Sequence, residues 1–430
     1  MTTAALSDAY ATLTAEQARL YRLLGLYPGP TVDIGTVVCL AGADPDTAQD
    51  LLYALEDAGL LQEGDDGRYR FCGAARPHAR ERAGEVEHEA ERAAVLERCV
   101  DYYTTGTAFA DLAVLGELRL RTGGEAARRA GAFDPFAGPD RRRAALGWLL
   151  AERQDALAVL RAAVEHDGMA HRAWQLAESL TAVYLHRRHP EDWKECCALG
   201  AEAAAVDGAR AAEARLRALL SRPLLDLGEE QAAREQLDRA LALAEETGEP
   251  RLRALALGLD GRYWQPRDPD RARTAYGTAV ALSEQADDVR GAAFARCFLG
   301  AALGAAGEHE EAAPVLRAAR EGLRELADRD PLAGRMLTEL GGAWQALGER
   351  AEARECYERA VRELRAHQAA HYEAEALEAL AAWERDAGDP ASAPDLLARA
   401  LELYEAGDSP RAGELRAELA RTGPATGSGA

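Results

Sequence analysis

The chain has 430 residues, 48% of them hydrophobic and 29% charged, which is the composition of a soluble globular protein with a large buried core. Its formal net charge of −22 argues against general binding to nucleic acid or to anionic membranes, because both carry negative charge themselves. The seven cysteines lack a Cys-x-x-Cys spacing, and no signal peptide or membrane-spanning run is recognisable, so a cytoplasmic protein is expected.

Residues 1–80 predict a small domain of three helices and one β-hairpin. An apolar stripe over 20–26 indicates the first helix, a second spans 34–40, and Asp44 followed by Pro45 caps a third. The turn Gly-Asp-Asp-Gly at 64–67 separates two short β-type runs, and its glycines admit the positive φ that hairpins need. Three helices and a hairpin are the elements of a winged helix.

Many winged helices bind DNA through the third helix, and the charges of this domain bear on that possibility. Residues 1–80 contain six Arg against eleven Asp and Glu, and the third helix carries no basic residue. Phosphate contacts supply most of the non-specific affinity of DNA-binding proteins, so an acidic recognition helix would repel the duplex. The sequence favours a packing domain over a DNA-binding one.

Residues 81–171 form the predicted helical connector between this domain and the rest of the chain. It is interrupted by a Gly/Pro loop at about 121–143, which ends in three consecutive arginines, Arg141 to Arg143. These arginines have two interpretations: the exposed first turn of the next helix, or a docking segment for an acidic partner.

Residues 172–420 repeat one pattern six times at about 40 residues, and 421–430 are expected to be a flexible tail. In five of the six copies a small marker residue near the start of the second helix is followed at +4 by an aromatic or Leu and at +7 by a small residue, and in the first copy Trp193 stands in the equivalent place. The markers are Trp193, Ala233, Ala272, Ala312, Ala353 and Ala393, spaced by 39 to 41 residues. Such regularity predicts an array of antiparallel helix pairs.

The turns inside the pairs decide which kind of repeat this is. Gly followed by an acidic residue ends the first helix at Gly228, Gly307, Gly348 and Gly388, where glycine supplies a left-handed cap. This pattern resembles the tetratricopeptide signature, although the period alone fits HEAT-like repeats of 40 to 47 residues better. The motif favours tetratricopeptide-like repeats, and the turn at 263–269 departs from it most.

Parts of the chain resemble actinobacterial STAND-type (NB-ARC) regulators, in which a winged helix follows an ATPase and precedes tetratricopeptide repeats. The similar segments are 23–30, 51–55 and 67–71, with the Trp-Leu-x-x-Glu-Arg helix at 145–157. Cys72-Gly73 replaces the usual His-Asp pair, and the only lysine, Lys194, is followed by Glu195, so no phosphate-binding loop is present. The resemblance implies a region lacking its ATPase module, with a separate ATPase or regulator chain as a candidate partner.

In that family the first helix of each pair lines a concave groove. Carried over by register, the groove candidates are Arg215, Arg222, Trp264, Phe298, Arg335, Thr338, Gln345 and Arg385, with Glu178, Phe294 and Glu378 beside them. Arginines with aromatic residues suit an extended peptide or a carboxylate-bearing tail, and we expect the arginines to be exposed. Phe294 and Phe298 fit the core equally well, and Trp264 could simply fill the irregular turn.

No catalytic, metal-binding or cofactor-binding motif is recognisable. His186, His189, Cys196 and Cys197 lie close together, as do His367, His371 and Glu375, but neither group has a known zinc spacing. A non-catalytic protein without cofactor or metal is expected.

The sequence therefore predicts an all-α fold, a tetratricopeptide-like α-α superhelix preceded by a small winged-helix domain with one β-hairpin. The predicted function is an adaptor or regulatory sensor that binds a peptide or protein partner in the concave groove. Two alternatives remain: a ligand-controlled transcriptional regulator, and an accessory protein or enzyme of a specialised biosynthetic pathway.

Overall fold

The computed structural model describes residues 2–123, 129–326, 330, 332–387, 392–406, 409 and 411–422. Within them the chain forms twenty helices and one two-stranded sheet, so the predicted fold class is confirmed. No helix in this part of the chain is long and apolar enough to cross a membrane. The predicted glycine turn at Gly388 and residues 423–430 of the predicted tail lie outside the described residues.

The N-terminal domain contains one helix more than the sequence pattern indicated. Its elements are α1 (Thr3–Ala11), α2 (Ala15–Leu26), α3 (Ile34–Ala41), α4 (Pro45–Asp57), β1 (Leu61–Glu63) and β2 (Tyr69–Phe71). The side chains of Thr14, Asp33 and Asp44 each accept a backbone N–H bond and cap α2, α3 and α4. The strands pair antiparallel, and Gly67 turns the hairpin with a φ of 70°.

Three long helices follow the hairpin: α5 (Ala75–Val86), α6 (Glu89–Leu115) and α7 (Arg141–Glu165). Arg141 to Arg143 form the first turn of α7, but only Arg143 is exposed as one of the two interpretations expects. The other two have partners within the chain, because Arg141 pairs with Asp134 at 2.9 Å and Arg142 donates to His367 Nδ1 at 2.6 Å.

A buried polar cluster fixes the hairpin to α7. Arg68 is only 8% exposed, and its guanidinium binds both carboxylate oxygens of Glu152 and lies 3.2 Å from Asp155 Oδ2. Its Nε donates to Thr31 Oγ1 at 2.6 Å, and Tyr103 donates to Glu152 Oε2 at 2.7 Å. Two buried carboxylates thus share one guanidinium. Burial raises the pKa of Glu152 to about 7 although Arg68 opposes the shift.

Six antiparallel helix pairs make up the array, closed by a last helix. The pairs are α8 (Ala170–Arg187) with α9 (Pro190–Asp207), α10 (Arg210–Asp226) with α11 (Glu230–Thr247), α12 (Pro250–Trp264) with α13 (Pro269–Gln285), α14 (Val289–Ala305) with α15 (His309–Leu326), α16 (Ala333–Ala346) with α17 (Arg350–Ala366), and α18 (Ala370–Ala387) with α19 (Ala393–Ala406), before α20 (Arg411–Thr422). All six marker residues lie on the second helix of a pair and are buried.

Glycines on the first helices explain why the pattern has a large residue at +4 of the second helix. A Cβ on Gly261 would lie 2.5 Å from the Tyr276 ring, and one on Gly341 would lie 2.7 Å from the Tyr357 ring. The glycine makes room for the ring, so the two helices approach closely at that point. Both tyrosines stand four residues after a marker alanine.

The array bends until its last pair reaches its first and second pairs. Helix α18 packs against α8. Arg222 on α10 donates to the Tyr372 hydroxyl on α18 at 3.1 Å, and Arg188 at the end of α8 lies 3.6 Å from Glu375. The inner face is therefore enclosed at this level, not open along its whole length.

A positively charged cavity inside the repeat array

The eight residues predicted to line the groove fall into different environments. Arg222, Phe298, Arg335 and Thr338 lie at the inner face and line cavities described below. Gln345 bonds to Tyr357 and Asp386, and Arg385 lies 3.7 Å from Glu418, a residue of α20. Trp264 lies at the irregular turn, where Arg234 and Arg271 stack on its ring.

Arg215 departs from the expectation that the arginines are exposed. Its side chain is 2% exposed, and Nη1 donates to Glu178 Oε1 at 2.9 Å. Glu178 is equally buried and also accepts from the backbone and hydroxyl of Thr122. A buried arginine needs such a carboxylate partner, so this pair ties α8 to α10.

A central cavity of about 400 Å³ lies between the first helices of the later pairs. Its polar and charged lining residues are Arg188, Arg262, Arg335, Thr338, Glu339, Tyr357 and Glu375, and the rest of its wall is alanine and glycine. The alanine and glycine residues create the open volume of the cavity, whereas the charged residues determine which ligands can bind in it.

An apolar chamber of about 170 Å³ adjoins the central cavity. Its apolar lining includes Leu219, Leu255, Leu259, Phe294, Phe298 and Leu332, and arginines surround this apolar surface. Phe294 and Phe298 are half-buried and face this chamber, so they contribute to both the core and the cavity wall. A chamber of this size accommodates one benzene-sized group.

Arg262 and Arg335 line both cavities. Arg335 has one carboxylate partner, Glu339, at 3.3 Å. Among the described residues Arg262 has no hydrogen-bond or ion-pair partner, and its guanidinium lies 5.8 Å from the Phe298 ring. Burial, together with the nearby Arg335 and Arg222, lowers the pKa of Arg262 to about 10, although Glu339 opposes the shift. This guanidinium thus lies close to other cations, and no carboxylate among the described residues forms a direct ion pair with it.

The pKa of Tyr372 reports the same positive potential. Burial alone would raise the pKa of its phenol, yet Arg222, Arg335 and Arg188 outweigh that effect and the pKa lies below its ordinary value. Glu375 behaves alike: burial opposes ionisation, but His371 and Arg188 lower its pKa to about 2. The electrostatic potential of the cavity wall around Tyr372 and Glu375 is therefore positive.

Sequence reasoning missed Arg262 and Arg188. Arg262 lies forty residues after Arg222, about one repeat, so extending the register from one pair to the next would have found it. Arg188 lies in the turn after α8 with a positive φ of 49°, and no periodic signal marks it.

The two histidine and cysteine groups have ordinary surroundings. Cys196 and Cys197 are buried in the core of the first pair, and Cys196 Sγ bonds to the Ala177 carbonyl. His371 lies 3.2 Å from Glu375 and packs edge-on against Tyr372. Within the described part of the chain, no three His, Cys, Asp or Glu residues are placed to hold a metal ion.

Comparison with known proteins relates the chain to part of a regulatory protein. No protein-family profile matches it. It is 33% identical over 217 residues to the regulatory protein AfsR of Streptomyces griseus, covering 49% of this chain and 21% of that one. It is 31% identical over 250 residues to AfsR of Streptomyces coelicolor, covering 55% and 24%. The chain thus spans less than a quarter of the length of these relatives.

Three solved structures share a related arrangement of helices. A STAND protein with a tetratricopeptide repeat sensor from Pyrococcus horikoshii matches with a TM-score of 0.39 and 13% identity, over 97% of this chain and 64% of that one. A Rap protein complexed with competence and sporulation factor matches with a TM-score of 0.44 and 13% identity, over 90% of this chain and 98% of that one. NprR in complex with its cognate peptide NprX matches with a TM-score of 0.43 and 14% identity, over 67% of this chain and 86% of that one.

Proposed function

We propose that this chain is a non-catalytic regulatory sensor whose repeat array binds a peptide or protein partner through its inner face. The observation that carries the proposal is the positive cavity, where Arg262 lacks an anionic partner among the described residues. A stable fold gains nothing from clustered, partly desolvated cations, because each costs free energy unless an opposite charge compensates it. A ligand that supplies the missing negative charge accounts for them.

The relation to part of AfsR supports a regulatory role, since both relatives are regulatory proteins. We further propose the predicted domain division, in which residues 1–80 are a winged-helix-like domain. The Arg68 cluster attaches this domain to α7, the helix that precedes the array, which suits a packing domain. Its acidic α4, with Asp46 and Asp50 near its N-terminus, suits protein contact better than DNA contact.

The test is recovery of partners from a native lysate by the immobilised chain, with wild type compared with Arg222→Glu and Arg335→Glu. Arg317→Glu is the matched control, because Arg317 is exposed on α15, a second helix. We expect the two cavity variants to lose partners that the control retains. Equal recovery of every partner by all three variants would refute the assignment to the inner face.

A further inference from the structure

The apolar chamber and the central cavity share one boundary, which Arg262 and Arg335 line. An apolar group in the chamber would therefore place any charge attached to it next to two guanidinium groups. Thr338 belongs to the wall of the central cavity and Ser283 to the wall of the chamber. Their hydroxyl oxygens are buried and have no hydrogen-bond partner among the described residues.

The volumes limit what can occupy each part. Drug-sized ligands occupy about 300 to 1,000 Å³, so the chamber of about 170 Å³ is too small for a whole ligand and large enough for one apolar side chain. The central cavity of about 400 Å³ is polar and can hold peptide backbone next to that side chain. The ligand must then carry its anion directly beside an apolar group.

The last residue of a peptide has this chemistry. Its carboxylate and its side chain are attached to the same Cα, so an apolar side chain in the chamber brings the carboxylate to the boundary. An Asp or Glu side chain supplies the anion without the adjacent apolar group, and inorganic phosphate has no apolar part. Guanidinium groups bind carboxylates with strong, charge-assisted hydrogen bonds.

We propose that Arg262 and Arg335 bind the C-terminal carboxylate of a peptide whose last side chain is apolar and fills the chamber. This inference rests on the proposed function and specifies the part of the partner that enters the cavity. Thr338 lines the central cavity together with both arginines. Arg222, which bonds to the Tyr372 hydroxyl at 3.1 Å, borders the chamber on the side of α18.

The experiment uses two libraries of N-acetylated hexapeptides, randomised at the last three positions, one made as free acids and one as C-terminal amides. Peptides retained by the immobilised chain are identified by mass spectrometry. We expect free acids with an apolar last residue to be enriched at least about tenfold over their amides, because a hydrogen bond to a charged group is lost in the amide. A third arm measures binding of 3-phenylpropionate, a small acid without a peptide.

Two sets of variants, each with its own control, make the assignment specific. Arg262→Gln and Arg335→Gln should abolish the preference for the acid, whereas Arg317→Gln on the outer helix should retain it. Gly258 lines the chamber, and no atom lies within 4 Å of a Cβ added there, so Gly258→Leu places an apolar side chain in the chamber and should abolish the preference for an apolar last residue. Gly277→Leu, equally free of close neighbours, is its control. Thermal melting verifies that each variant is folded.

Equal retention of acids and amides would overturn the carboxylate assignment, and a lysate partner still lost by Arg222→Glu would then leave the proposed function standing. Binding of 3-phenylpropionate without retention of any peptide would identify a small acid as the ligand and overturn the peptide assignment. Retention of nothing in all three arms would also overturn the inference, while the lysate experiment decides the proposed function separately.

Discussion

Replacing Arg68 with Met tests the buried junction between the hairpin and α7. The change removes the only guanidinium in contact with Glu152 and Asp155 among the described residues, and both carboxylates are at most 2% exposed. Loss of one partner from a buried ion pair typically costs about 3 to 5 kcal/mol. Uptake of protons by the orphaned carboxyls limits the cost, so we expect it to be largest at pH 8 and smaller at pH 5.

Amide hydrogen exchange measures this cost where it arises. Two backbone hydrogen bonds join Tyr69 and Val32 and hold the hairpin to the segment before α3. The Tyr69 N–H donates to the Val32 carbonyl at 2.8 Å, and the Val32 N–H donates to the Tyr69 carbonyl at 2.9 Å. A loss of about 3 to 5 kcal/mol corresponds to protection factors about 100- to 5,000-fold lower for these amides. Arg70→Met is the control, because Arg70 is half exposed and pairs only with the exposed Asp66. A decrease below tenfold, or one equal to that of the control, would refute the reasoning.

Three further predictions concern pH, packing and the cavity. Glu152 has a folded pKa of about 7 against an ordinary 4.5, so it favours folding most below pH 4.5 and loses about 3 kcal/mol of that contribution as the pH rises to 7. The difference in urea stability between wild type and Glu152→Gln should change by that amount, and a constant difference would contradict it. Gly341→Ala should lower the free energy of unfolding by about 1 to 3 kcal/mol, because its Cβ clashes with Tyr357. Gly277→Ala, which has open space at its Cβ, should not lower it, and thermal melting of both variants measures the difference. Tyr372→Phe should remove the tyrosine that ionises first in an alkaline titration followed at 295 nm, and an unchanged first phase would argue against the positive cavity.

The repeat architecture was predictable because packing imposes it locally. Five of the six pairs have a small marker residue on the second helix and a ring or Leu at +4, and this pattern returns every 39 to 41 residues. Glycines such as Gly261 and Gly341 accept those rings on the facing helix. Helix α1 was not predicted, because its sequence, rich in alanine, shows little periodic contrast.

The cavity was only partly predictable, because its walls come from helices far apart in sequence. Arg222, Phe298, Arg335 and Thr338 could be selected by register on single helices. Register does not reveal that Arg262 would lie without an anionic partner among the described residues, or that Tyr372 would face Arg222 across the array. Those relations depend on how far each pair rotates relative to the one before, and small rotations accumulate over several pairs.

The contact between Arg222 and Tyr372 spans 150 residues of sequence and joins the second pair to the sixth. Linear repeat arrays transmit force and unfolding only between neighbouring units, so they can lose an end unit without effect on the other end. Here the sixth pair also contacts the first and second pairs. The stacked helices in between already hold these pairs near each other, so forming the contact costs little additional chain entropy. Changes in curvature at the junctions between the second and the sixth pair add up at this contact, so the seam between α18 and α10 is the place where small rotations of the pairs have their largest combined effect.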